Sequence, residues 1–123
     1  MGKKVLYIED NADNVLLVQR ALQSKGYVFV AANTGNGGLT KAETERPDLI
    51  LLDINLPDID GYEVARRLRA NVEFRKVPII AITANALKGD ADKALAAGCD
   101  VYIPKPINLR ELWTQLAALL SVV

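Results

Sequence analysis

Leu49-Ile50-Leu51-Leu52-Asp53 is a run of four aliphatic residues leading straight into a carboxylate. So short and unbroken an apolar run reads as a strand buried on both faces, because a strand with one wet face would alternate apolar and polar. Strands covered on both sides belong to parallel sheets with helices packed above and below. Upstream, Val5-Leu6-Tyr7-Ile8 has the same character and runs into Glu9-Asp10. Downstream, Pro78 to Thr83 and Val101 to Ile103 repeat the pattern, and Tyr27 to Ala32 supplies a fifth strand.

Helical signals fill the gaps. Asn11 caps a helix that turns Val15, Leu16, Val18 and Leu22 inward, and Gly26 stops it. Thr34 to Arg46 is read as a helix ended by Pro47, although Gly37 and Gly38 each cost about 1 kcal/mol relative to alanine. Beyond Asp53 a loop passes Pro57 and Asp58, and Asp60 caps the next helix with Glu63 three positions on. Leu87 to Ala97 forms a fourth helix closed by Gly98. Asn108 caps a fifth, with Glu111 at its third position and a stripe of Leu109, Leu112, Leu116 and Leu119. Five βα units predict an α/β fold, a five-stranded parallel sheet doubly wound with right-handed crossovers.

The chain has 123 residues, half of them apolar, which suits a single domain over 1–123. Fifteen basic and fifteen acidic residues cancel, so no charge excess points to nucleic acid or membrane as a partner. The apolar runs are too short to span a bilayer, and no long apolar segment follows Met1-Gly2-Lys3-Lys4. A lone cysteine, Cys99, fits a reducing, cytoplasmic setting and reads as an inert, partly buried thiol. Histidine is absent. That excludes Ser-His and Cys-His catalysis, histidine-ligated zinc, and a role as phosphohistidine donor.

In open parallel sheets the site lies outside the carboxyl ends of the strands. This rule gathers Glu9, Asp10, Asp53, Thr83 and Lys105 from four strand ends into one cluster. Carboxylates crowded together repel, and a divalent cation relieves the repulsion. All-oxygen ligands favour Mg²⁺ (or Mn²⁺) over zinc or copper. A metal-bound carboxylate beside a lysine and a hydroxyl suits phosphoryl transfer onto Asp53, the metal and Lys105 neutralising charge while Thr83 donates a hydrogen bond. Asp13, Asp58 and Asp60 read instead as helix caps or water-bound loop acids. Trp113 lies off the leucine stripe; packing is the plainer reading, a contact anchor the sharper one.

Tyr7-Ile8-Glu9-Asp10-Asn11, Leu51-Leu52-Asp53-Ile54-Asn55-Leu56-Pro57 with Asp60-Gly61, Ile82-Thr83-Ala84, and Ala97-Gly98-Cys99-Asp100 leading into Tyr102-Ile103-Pro104-Lys105-Pro106 together resemble the receiver domains of bacterial two-component response regulators. The resemblance covers essentially the whole chain. It implies a flavodoxin-like strand order of 2-1-3-4-5. It implies Asp53 as phosphoacceptor, supplied by a histidine kinase or a histidine phosphotransfer protein. Asp10, Asp53 and the Asn55 carbonyl are then Mg²⁺ ligands, with Glu9 acting through water. Thr83 and Tyr102 form a switch pair, Lys105 binds the phosphoryl group, and the Lys105-Pro106 bond is cis. The output is a downstream protein on the face of the fourth helix, fifth strand and fifth helix, around Leu87, Lys88, Ala91, Tyr102 and Pro104. Such a chain is a signalling phosphoacceptor rather than an enzyme with its own substrate. Glutamate at position 9 departs from the commoner aspartate and is similar to single-domain cell-cycle regulators and to receivers of hybrid kinases.

Three other classes of protein share parts of this pattern. A haloacid-dehalogenase-type phosphatase needs a second aspartate two residues after the nucleophile, where this chain has Asn55. A flavodoxin-like FMN carrier needs a phosphate-cradling first loop, where this chain has the acidic Glu9-Asp10-Asn11-Ala12-Asp13. A phosphorylation-independent, receiver-like interaction module keeps the fold but has no need of the carboxylate cluster.

Overall fold

The computed structural model describes residues 2–84 and 90–120. The elements run β1 (Lys4–Ile8), α1 (Ala12–Gln23), β2 (Val28–Ala32), α2 (Gly35–Glu45), β3 (Leu49–Asp53), α3 (Gly61–Ala70), a 3₁₀ turn (Val72–Phe74), β4 (Ile79–Thr83), α4 (Asp90–Ala97), β5 (Val101–Pro104) and α5 (Leu109–Leu120). All neighbouring strands pair in parallel, in the order β2-β1-β3-β4-β5. The doubly wound sheet expected from the sequence is therefore present, in the order that the resemblance implied.

Strand alternation sorts the core into two layers. Leu6, Ile8, Ile50, Leu52, Ile79 and Ala81 pack with α2, α3 and α4. Val5, Tyr7, Leu49, Leu51, Ile80 and Ile82 pack with α1 and α5. Every residue of β3 and β4 is buried, so the strands that bear Asp53 and Thr83 form the rigid middle of the sheet.

The caps explain where the helices begin. The side chains of Asn11, Thr34, Asp60 and Asn108 accept from the amides of Asn14, Gly37, Glu63 and Glu111 at 2.9–3.1 Å. Glu63 does not complete a capping box: its carboxylate turns to Arg66 and Arg67, at 3.1 and 2.9 Å. The glycine-rich α2 forms as expected. It is held by its cap and by the Asp58 carboxylate, which accepts from the Gly35 and Asn36 amides at 2.7 and 2.8 Å.

Leu16 corrects the reading of α1. It is 44% exposed. Val18 and Leu22 lie one turn apart and define the buried stripe, whereas Leu16 sits about 100° round the helix from Val15. Strand β2 begins at Val28 rather than Tyr27. The expected start of the fourth helix at Leu87, and Lys88 with it, lie outside the described residues. Trp113 packs against the α1/α5 core, donates from Nε1 to the Ala21 carbonyl at 3.1 Å, and carries the Lys25 ammonium 4.6 Å from its ring centre. These contacts pin α5 to α1 and bear out the packing reading. Cys99 is buried, and burial pushes its thiol up to about 11.

The far end of the molecule is tied by Arg69. Its guanidinium donates to the carbonyls of Gly98, Phe74 and Val77 and pairs with Asp100 at 2.7 Å. Asp100 also accepts the Ile79 amide at 2.8 Å. Gly98 has φ +108°, and a Cβ there would come within 2.5 Å of Arg69 Cγ, so glycine is required twice over.

Candidate metal and phosphoryl site

Strand geometry delivers the cluster that the sequence suggested. On β1, Val5, Tyr7 and then Glu9 share one face; on β3, Leu49, Leu51 and then Asp53 share the same face; Ile103 and then Lys105 follow it from β5. Two of these side chains are withdrawn from solvent: Glu9 and Asp53 are each 1% exposed. Asp10, on the rim, is exposed. Carboxylate oxygens of Glu9, Asp10 and Asp53 lie within 4.8 Å of one another, and this trio alone among the described residues could hold a metal ion through acidic, cysteine or histidine ligands.

Lys105 lies across the trio. Its ammonium stands 2.8 Å from Glu9 Oε1 and 3.3 Å from Asp53 Oδ2. Its own amide donates to the Thr83 carbonyl at 2.7 Å, so β4 fixes the backbone while the acids fix the side-chain tip. The Lys105-Pro106 bond is cis, as the resemblance implied. Asp53 Oδ1 accepts the Asn55 amide at 3.1 Å.

Burial, reinforced by the neighbouring Glu9 carboxylate, pushes Asp53 up to about 7. Burial works against ionisation of Glu9 too, but hydrogen bonds with Asp53, Lys105 and the Asn11 amide outweigh it and hold Glu9 down to about 2. The pair therefore keeps a proton close to neutrality. For Lys105, burial favours the neutral amine; the hydrogen bond to Glu9 and the charges of both acids prevail and raise it. With all three carboxylates ionised, one lysine would leave net negative charge that a divalent cation would offset. With all-oxygen donors, the residues fit Mg²⁺.

Thr83 is buried at the tip of β4, in register with Pro104. It has the strand parity of Ile79 and Ala81, the α4 side of the sheet, and half-buried Tyr102 packs against that same core layer. The two expected switch residues thus share the face opposite Glu9 and Lys105. Ala91 is half-buried and Pro104 exposed; Leu87 and Lys88 of the expected output surface lie outside the described residues. Asp58 and Asp60 cap helices, as read from sequence.

Sequence reasoning missed Tyr7. Its hydroxyl donates to Glu9 Oε1 at 2.9 Å from beneath the site. The spacing of two along one strand was a usable signal, since residues i and i+2 share a face. Asn14 was missed as well; its side-chain Nδ2 donates to the same oxygen at 3.4 Å.

A doubly wound five-stranded sheet with three acids and a lysine at its carboxyl edge defines a receiver of two-component signalling. The chain belongs to the response regulator receiver domain family, whose model matches residues 5–117. It is 41% identical over 109 residues to the polar-differentiation response regulator DivK of Brucella anthropi, covering 89% of each chain. Among solved structures it is similar to the receiver domain of sensor histidine kinase PA1611 from Pseudomonas aeruginosa, with TM-score 0.91, 39% identity, and coverage of 99% of this chain and 100% of that one. That structure has a magnesium ion coordinated in its active site cleft. Chemotaxis response regulator CheY4 of Vibrio cholerae matches with TM-score 0.91 at 28% identity, over 98% of this chain and 100% of that one.

No helix among the described residues is long and apolar enough to cross a membrane.

Proposed function

We propose that the chain works as one receiver domain that accepts a phosphoryl group on Asp53 from a histidine kinase or histidine phosphotransfer protein and thereby changes its affinity for a downstream protein. The observation that carries this reading is the convergence of Glu9, Asp10 and Asp53 under the Lys105 ammonium.

In this reading an Asp53 carboxylate oxygen attacks phosphorus. A new O–P bond forms, the donor's N–P bond breaks, and its electron pair returns to the imidazole nitrogen. Asp10 and Asp53, with the Asn55 carbonyl, would hold Mg²⁺, and Glu9 would support it through water. When bound, Mg²⁺ would supply positive charge against the phosphoryl oxygens. Lys105 moves from Glu9 and Asp53 to one of those oxygens. Thr83 donates to another, and Tyr102, on the same side of the sheet, responds to that movement. The altered surface lies on α4, β5 and α5. The setting is cytoplasmic.

The test is intact-protein mass spectrometry after incubation with acetyl phosphate and Mg²⁺. One added phosphoryl group, lost in Asp53→Ala and in EDTA, is the expected result. No adduct under any condition would favour a scaffold that binds partners without phosphorylation.

A further inference from the structure

Tyr7 is fully buried, yet it ends in a polar group. Its ring packs edge-on against Phe29, with centroids 6.5 Å apart, in the layer between the sheet and α1 and α5. From there the hydroxyl reaches up the strand face to Glu9 Oε1 at 2.9 Å. That oxygen also takes the Lys105 ammonium, and Oε2 takes the Asn11 amide at 3.3 Å. Glu9 is thus gripped from below by a phenol, from the side by a lysine, and at its far oxygen by the backbone.

Glutamate has one more rotatable bond than aspartate, and that freedom must be removed before its carboxylate can serve a fixed site. A buried tyrosine on the same strand face removes it without adding charge. An aspartate at this position would be one methylene too short to keep the bond. We propose that Tyr7 is a positioning residue matched to glutamate at position 9: it fixes the Glu9 carboxylate where the longer acid can support a divalent cation. This rests on the metal-binding reading given above. Groups that orient a metal's ligands from behind commonly change affinity by about ten- to a hundredfold when removed.

The test is a double-mutant cycle on Mg²⁺ affinity, read by calorimetry in the absence of any phosphodonor. Tyr7→Phe should weaken Mg²⁺ binding about tenfold. Glu9→Asp should weaken it too, and adding Tyr7→Phe to Glu9→Asp should cost nothing more, because the phenol has already lost its partner. A second readout is spectroscopic: Mg²⁺ draws charge from Glu9, so the near-ultraviolet tyrosine absorbance of the wild type should shift on titration. That shift should vanish in Tyr7→Phe. Wild-type affinity retained by Tyr7→Phe, or equal losses in both backgrounds, would overturn the inference and leave the functional reading intact. A wild-type chain that takes up no Mg²⁺ would remove both.

Discussion

Lys105 Nζ lies 2.8 Å from Glu9 Oε1. The lysine proposed to hold a phosphoryl group thus lies nearer to this acid than to the proposed acceptor, Asp53, at 3.3 Å. Replacing Lys105 with methionine leaves two buried carboxylates without their counter-charge. Loading from acetyl phosphate should fall on the order of 10²-fold, the scale of losing one donor aimed at developing charge. Urea unfolding in EDTA should show a less stable protein, with Mg²⁺ restoring part of the loss. Unchanged loading would remove Lys105 from the chemistry.

The proton kept near Asp53 has a consequence for stability. Its folded value, about 7, stands above the ordinary 3.8. Between those values the folded state binds more proton than the unfolded chain, so metal-free stability falls as pH rises from about 4 to about 7. Glu9 contributes in the opposite sense, but only below its ordinary value of 4.5. Asp53→Asn cannot ionise. In EDTA it should gain on the wild type between pH 5 and pH 8, measured by urea midpoints at each pH. A gap that stays flat across that range would contradict the assignment.

Two adjacent glycines in α2 should respond differently to alanine. A Cβ on Gly38 would fall 2.4 and 2.7 Å from Ile8 Cδ1 and Cγ1, and Ile8 is fully buried. Overpacking of that kind costs about 1–3 kcal/mol, against a helix-propensity gain of about 1. Gly38→Ala should therefore lower the unfolding midpoint. At Gly37 the Cβ would meet Thr34 Oγ1 at 2.8 Å. The threonine can rotate away, losing a cap of about 1 kcal/mol for a similar propensity gain, so Gly37→Ala should be close to neutral. Thermal melts of both variants decide this.

Legibility in the sequence followed the range of the interaction. Strands β3 and β4 were readable because burial on both faces leaves an uninterrupted apolar run. The site acids were readable because strand ends converge in a parallel sheet whatever the loops do. The position of Leu16 was not. Val15, Leu16, Leu17 and Val18 are apolar in succession, which hides the stripe that Val18 and Leu22 define. Helix α2 looked doubtful because part of its N-terminal support, Asp58, comes from a loop more than twenty residues on. Tyr7 entered the reading only as part of the apolar run of β1. Only the reach of its hydroxyl to a buried acid makes it part of the site.

Arg69 bonds segments that local hydrogen bonding would leave separate: its own helix, the turn at Phe74, the strand approach at Val77 and the end of α4 at Gly98. A planar, five-donor fork can satisfy acceptors in several directions at once, which a single ammonium cannot. The set of segments that it joins, α3 to Val77 and the end of α4 to Asp100, is thereby bound to open as one piece. Its amides should exchange with solvent together, in one cooperative unit, rather than fraying helix by helix.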